Sequence, residues 1–146
     1  MARVSTYLNF MGNTEAAFNF YREVFGTEFE GPIMRIGDTP PDPSMPPLTD
    51  AEQQMVMHVE LPILGGHMLM ATDMIESMGH ELRLGNNVTI NLEPDSRAET
   101  ERLYAALSDG SSDCTGLQDM FWGAYWGSCQ DRFGVRWMFN CTEPAA

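Results

Sequence analysis

At 146 residues the chain has the length of one domain, and an apolar fraction of 43% with 20% charged residues is ordinary for a globular protein. A net charge of −13, from 21 acids against 8 bases, makes nucleic acid and anionic membrane poor partners, since phosphate binding needs a basic surface. All 8 bases are arginine, which excludes chemistry that needs a lysine, such as a Schiff base or a P-loop.

The first predicted element is a strand within STYLNF, where Thr6, Leu8 and Phe10 share one face and Tyr7 and Asn9 the other. Asn13-Thr14 with Glu15 opens a helix whose apolar residues, Ala17, Phe20, Tyr21 and Val24, recur at helical spacing up to a terminating Gly26. Residues 27–35 read as a strand. Residues 37–50, GDTPPDPSMPPLTD, hold five prolines and predict a loop with no regular element. Residues 54–61 alternate as a strand, Gly65-Gly66 marks a hairpin turn, and residues 67–72 return.

The pattern then repeats. Val88, Ile90 and Leu92 share a strand face, Asp95-Ser96 with Glu99 opens a helix carrying Leu103, Tyr104 and Leu107, and Gly110 ends it. A strand is expected near residues 113–117, and residues 121–130 and 135–140 form a last hairpin. Asp131 and Gly134 supply its turn chemistry: the aspartate bonds nearby backbone and the glycine takes positive φ. The expected fold is α+β, two tandem βαβββ modules at about residues 1–75 and 84–143 of a single domain. Their mostly antiparallel, curved sheets carry a helix on one face and enclose a cavity with the other.

Three cysteines, Cys114, Cys129 and Cys141, form neither a disulfide framework nor a zinc pattern, and the opening MARVSTYLNF has no basic region followed by a long apolar run. With no window apolar enough to span a membrane, a cytoplasmic location is the expectation.

The stretches YLNFMGNTEAAFNFYREVFG, MVMHVELPILGGHMLMATD, AETERLYAAL and FWGAYWGSCQDRFGVRWMFN, set in this duplicated pattern, resemble the vicinal oxygen chelate superfamily, which includes glyoxalases, bleomycin-resistance proteins and extradiol dioxygenases. More narrowly the chain resembles the PhnB-like branch. Members of that branch are often labelled 3-demethylubiquinone 3-methyltransferases, but no glycine-rich strand-to-helix turn of the nucleotide-cofactor kind is present here. The resemblance implies a cavity, and a homodimer that closes it. It also implies four metal slots, which fall at Ser5 (or Thr6), Asn87 (or Val88), Met70 and Met138. Hydroxyl, amide and thioether are poor ligands for the divalent ions of such enzymes, so no cofactor is expected.

His58 and Glu60 share a strand face and are the candidate acid/base pair, because a carboxylate beside a histidine fixes its tautomer. A half-exposed strand with polar residues on its outer face is the plainer alternative. Tyr7, Asn9, Met70, Asn91, Trp122 and Trp126 are the candidate ligand-lining residues. Asn91 is expected to answer Asn9 in the second module, and Trp122 and Trp126, at i and i+4, are expected to share a strand face as an aromatic platform. Twelve methionines suit an apolar or aromatic small ligand. The expected function is therefore a small-molecule-binding protein or a metal-independent enzyme. The alternative is a divalent-metal-dependent lyase, isomerase or dioxygenase with displaced ligands such as His58, Glu60 and His67.

Overall fold

The structure, a computed structural model, describes residues 1–146. The chain divides into two compact units, Met1–Arg83 and Leu84–Ala146. No helix is long and apolar enough to cross a membrane.

The first unit contains β1 (Thr6–Phe10), α1 (Thr14–Phe25), β2 (Met34–Arg35), α2 (Asp50–Gln54), β3 (Val56–Pro62) and β4 (Met68–Asp73). Its sheet has the order β1-β4-β3-β2, with β1 parallel to β4 and the other pairs antiparallel. The helical stripe Ala17, Phe18, Tyr21 and Val24 is buried, as are the strand residues Val59, Leu61, Leu69 and Ala71. Each large side chain so buried contributes about 1.5–3 kcal/mol. Phe18, not Phe20, completes the stripe; Phe20 is only half-buried.

Two positions explain how α1 is fixed. Gly26 ends it in the left-handed region at φ 63°. At the other end the N-cap residue Asn13 makes no side-chain bond to the helix. The buried carboxylate of Asp73, at the end of β4, replaces it: Oδ1 accepts from the Thr14 backbone N–H at 3.0 Å and Oδ2 from that of Val56 at 2.8 Å.

The expected strand over residues 27–35 shrinks to Met34–Arg35, where the pairing with β3 is irregular. The expected start of the next strand at Gln54 is instead the end of α2, a short helix opened by a Thr49–Glu52 capping box. Gly37, at the loop's other end, lies against this helix: a Cβ there would stand 3.0 Å from Gln53 Cβ.

The second unit contains β5 (Ile90–Leu92), α3 (Arg97–Ser108), β6 (Asp113–Asp119), β7 (Tyr125–Gln130) and β8 (Arg136–Cys141), with sheet order β5-β8-β7-β6. β5 runs parallel to β8 and the rest are antiparallel, repeating the first unit's connectivity. Ser96 Oγ accepts from the Glu99 N–H, so the predicted N-cap is present here. Leu103 and Leu107 of α3 are buried, with Leu92, Cys129, Trp137, Phe139 and Cys141 from the sheet.

The final turn holds more than turn chemistry. Asp131 is 4% exposed; its Oδ1 accepts from the Phe133 and Val135 N–H groups at 2.8 and 3.0 Å, and its Oδ2 from the Trp137 indole N–H at 2.9 Å. One carboxylate thus shapes the turn and orients the largest core side chain.

Candidate functional site

In the first unit's sheet the residues alternating with the buried set face away from α1. On β1 these are Tyr7 and Asn9, on β3 His58 and Glu60, and on β4 Met70 and Thr72. The register brings them together. Met70 lies opposite Tyr7 on one side and Glu60 on the other, and Thr72 lies opposite Asn9.

His58 Nε2 is 2.9 Å from Glu60 Oε1, and His58 Nδ1 is 3.4 Å from the Tyr7 hydroxyl. The Tyr7 and His58 rings stack at 5.8 Å with 29° between planes. The predicted pair is therefore a contact, extended by Tyr7. With Glu60 ionised, His58 donates its Nε2–H to the carboxylate, and Nδ1 accepts from the phenol. The Tyr7 contact is the longer of the two. Tyr7 is half-exposed and His58 and Glu60 part-buried, so the chain is open to a ligand at its tyrosine end.

The divalent-metal slots of the superfamily test differently. Ser5 and Met70 are in contact, but Ser5 Oγ donates to Met70 Sδ at 3.8 Å. In the second unit Met138 pairs with Asn91, as Met70 pairs with Tyr7, so Asn91 answers Tyr7 and not Asn9. By the same register Thr89, not Asn87, answers Ser5. Two hydroxyls and two thioethers do not fit a hard or borderline divalent ion. Of the displaced set, His67 Nε2 lies 2.8 Å from the Thr6 hydroxyl, away from the His58–Glu60 contact. No group of three or more His, Cys, Asp or Glu side chains is gathered to hold a metal.

The two tryptophans are separated. Trp126 is half-buried on β7, opposite Asn140 and Gln118, on the face that carries Ser128. Trp122 precedes the strand, in a turn closed by the Gly123 N–H to Met120 C=O bond, and stacks edge-on with Phe121 at 5.0 Å. The glycine at φ 90° breaks the strand that the i, i+4 spacing had implied, so the pair forms no shared platform.

Cys129 is inert: burial pushes its thiol up to about 12, with the Cys114 and Asp131 side chains adding to the effect.

Beside these side chains the first unit also holds two cavities. A cavity of about 360 Å³ takes Asn9, Met57, Thr72 and His80 into its wall. A second, of about 410 Å³, is formed by the proline-rich loop with Ile36, Met45, Leu48 and Met78. The sequence signal for it was Met45 between prolines and Leu48 directly after Pro46-Pro47, where a solvated loop needs no large apolar side chain.

Residues 2–139 match the family described as 3-demethylubiquinone-9 3-methyltransferase. The chain is similar to protein PA1353 of Pseudomonas aeruginosa, at 35% identity over 97% of this chain and 98% of that one, with a TM-score of 0.81. It is also similar to a PhnB protein of Bacillus cereus, at 21% identity over 96% and 99% of the two chains, with a TM-score of 0.73. The likeness of fold extends to a glyoxalase/bleomycin resistance/dioxygenase domain of Frankia sp. EAN1pec, at 11% identity over 100% and 96% of the two chains, with a TM-score of 0.64.

Proposed function

This chain belongs to the 3-demethylubiquinone-9 3-methyltransferase family, the PhnB-like branch of the vicinal oxygen chelate superfamily, and from that premise we propose that it binds a small apolar or aromatic molecule on the open face of its first sheet and moves a proton there without a metal. The observation that carries the reading is the hydrogen-bonded series Tyr7–His58–Glu60 on a face no helix covers.

A ligand proton facing Tyr7 passes to the phenol oxygen as the phenol proton moves to His58 Nδ1. Glu60 then faces an imidazolium, which it stabilises, in the manner of a carboxylate behind a histidine base. Tyr7 is the catalytic group in this scheme, His58 the proton acceptor behind it, and Glu60 a positioning residue. The same reading includes a twofold homodimer, which light scattering at micromolar concentration checks.

The test is solvent deuterium incorporation into a panel of small aromatic and aliphatic carbonyl compounds, with EDTA present throughout. Exchange is expected to persist under EDTA and to fall by about 10²–10⁴ in His58→Gln, the usual range for a general acid–base group. Exchange abolished by EDTA, or unchanged in His58→Gln, refutes the scheme. Nuclear magnetic resonance of the same mixtures, with shifts at Tyr7 and Asn9 but no exchange, would leave the chain a binding protein.

A further inference from the structure

The two cavities of the first unit share Ile36, Thr39 and Met78 in their walls, so they adjoin. Their linings differ in kind. The one under the proline-rich loop is apolar apart from Asp42, Gln53 and Thr39, and it presents Met45, Leu48 and four prolines to its interior. The other reaches the open face of the sheet, where Asn9 and Thr72 stand. From this gradient we infer that the first unit holds a neutral amphiphile, with its hydrocarbon chain under the proline-rich loop and a hydrogen-bonding head group at Asn9 and His80. The inference deepens the reading of the first sheet as a ligand site and rests on it, since the head group lies on the face that carries Tyr7 and His58.

Three observations fix the chemical class. Each cavity alone is near the lower end of ligand-pocket volumes, and the two together suit a chain of several carbons with a small head. The loop that forms the apolar wall is locally restrained. Its prolines restrict φ, Asp42 Oδ1 accepts from the Ser44 N–H and hydroxyl, and Gly37 packs on Gln53.

The polar end selects an acceptor. His80 Nδ1 takes the Ile75 N–H at 2.9 Å, so a neutral His80 carries its proton on Nε2 and offers a donor. Asn9 adds an amide. The carboxylate of Asp73 also borders this cavity, but both its oxygens are occupied by backbone N–H groups. With Asp42 on the apolar wall, no cation among the lining residues and a net charge of −13, an anionic head is disfavoured. An uncharged carbonyl is the head group that matches.

The experiment titrates the full chain with a series of 2-alkanones from six to ten carbons, and with the alkanoates of equal length, by calorimetry. Affinity for the ketones is expected to rise about fourfold per methylene, the increment for burying one such group, and each alkanoate should bind at least tenfold more weakly. Met78→Glu, which puts a charge where the two cavities meet, should cost at least tenfold. Met45→Ser, on the loop and away from the sheet core, should flatten the chain-length slope without altering the thermal melt. His80→Ala should weaken every ketone by a constant factor and leave the slope intact. No dependence on chain length, alkanoates binding as well as ketones, or unchanged affinity in a folded Met45→Ser overturns the inference. The deuterium-exchange test of Tyr7 and His58 reads isotope exchange and not affinity or its chain-length slope, so either idea can fail while the other stands.

Discussion

Replacing Asp73 is the most informative single change to the first unit, because its two oxygens do separate jobs. Oδ1 takes the Thr14 N–H that begins α1, and Oδ2 takes the Val56 N–H that begins β3. The side chain is 5% exposed, so water cannot replace it. Asp73→Asn keeps the shape but has one acceptor oxygen; the other N–H then faces an amide N–H₂. The variant loses one charge-assisted bond and leaves a buried donor unpaired, each worth roughly 1–3 kcal/mol, so a loss of about 3 kcal/mol is expected. Asp73→Ala orphans both donors and should cost about 3–5 kcal/mol. Urea unfolding followed by far-ultraviolet circular dichroism is the assay. All three tryptophans lie in the second unit, so their fluorescence would miss the transition that matters. An Asp73→Asn variant within about 0.5 kcal/mol of wild type would refute the two-donor account, since surface-like substitutions show that range.

Other outcomes are equally definite. Thr14 is fully buried and its hydroxyl has no hydrogen-bond partner, so Thr14→Val should be neutral or stabilising by about 1 kcal/mol in the same assay; a clear loss would reveal a hidden partner. Glu15 is held below the ordinary carboxylate range, first by its hydrogen bonds to Arg35. A depressed carboxyl stabilises fully above its unfolded value, about 4.3, and loses that contribution as pH falls below it. Because Glu15 is 45% exposed, the stability gap between wild type and Glu15→Gln should be no more than about 1 kcal/mol at neutral pH. That gap should narrow as pH falls below that unfolded value; a gap unchanged in acid would point to packing, not charge. Of the three free cysteines only Cys114 is exposed, so a thiol-reactive disulfide reagent should titrate one thiol per native chain and three in denaturant. Rapid native reaction at Cys129 would contradict its raised thiol.

The duplicated pattern, both long helices, the Gly-Gly and Asp131–Gly134 turns and the His58–Glu60 contact were all legible in the sequence, because each depends on neighbours in the chain or on strand alternation. What was not legible depends on long-range pairing. The carboxylate that starts α1 comes from Asp73, 59 residues away, so a local capping rule looks to Asn13 instead. The match of Asn91 to Tyr7 follows from the parallel register with β8, which nothing within β5 encodes. Trp122 fell outside its strand because Gly123 adopts a positive φ that spacing does not reveal. The cavity under the proline-rich loop was missed because a run of prolines signals only the absence of helix and strand, not what the chain encloses.

The registers also show how the two units came to differ. If Met70 corresponds to Met138, the core pair Val59 opposite Ala71 corresponds to Gly127 opposite Phe139, and Leu61 opposite Leu69 to Cys129 opposite Trp137. In both pairs one side shrinks as the other grows, so volume beneath the helix is roughly kept, as a close-packed interior requires. Gly127 is crowded from β6 as well: a Cβ there would stand 2.9 Å from Leu117 Cδ2 and 3.1 Å from the Thr115 carbonyl oxygen. The open faces obey no such rule. Glu60 corresponds to Ser128, His58 to Trp126 and Tyr7 to Asn91, exchanges that preserve neither volume nor charge. A face free of the packing constraint can vary in this way. Tyrosine, histidine and glutamate, the three groups that can pass a proton along, occur together on the first sheet, and the second has none of them at the matching places. The proposed proton transfer therefore rests on residues of the first unit alone, and building the same series in the second would take three substitutions, not one.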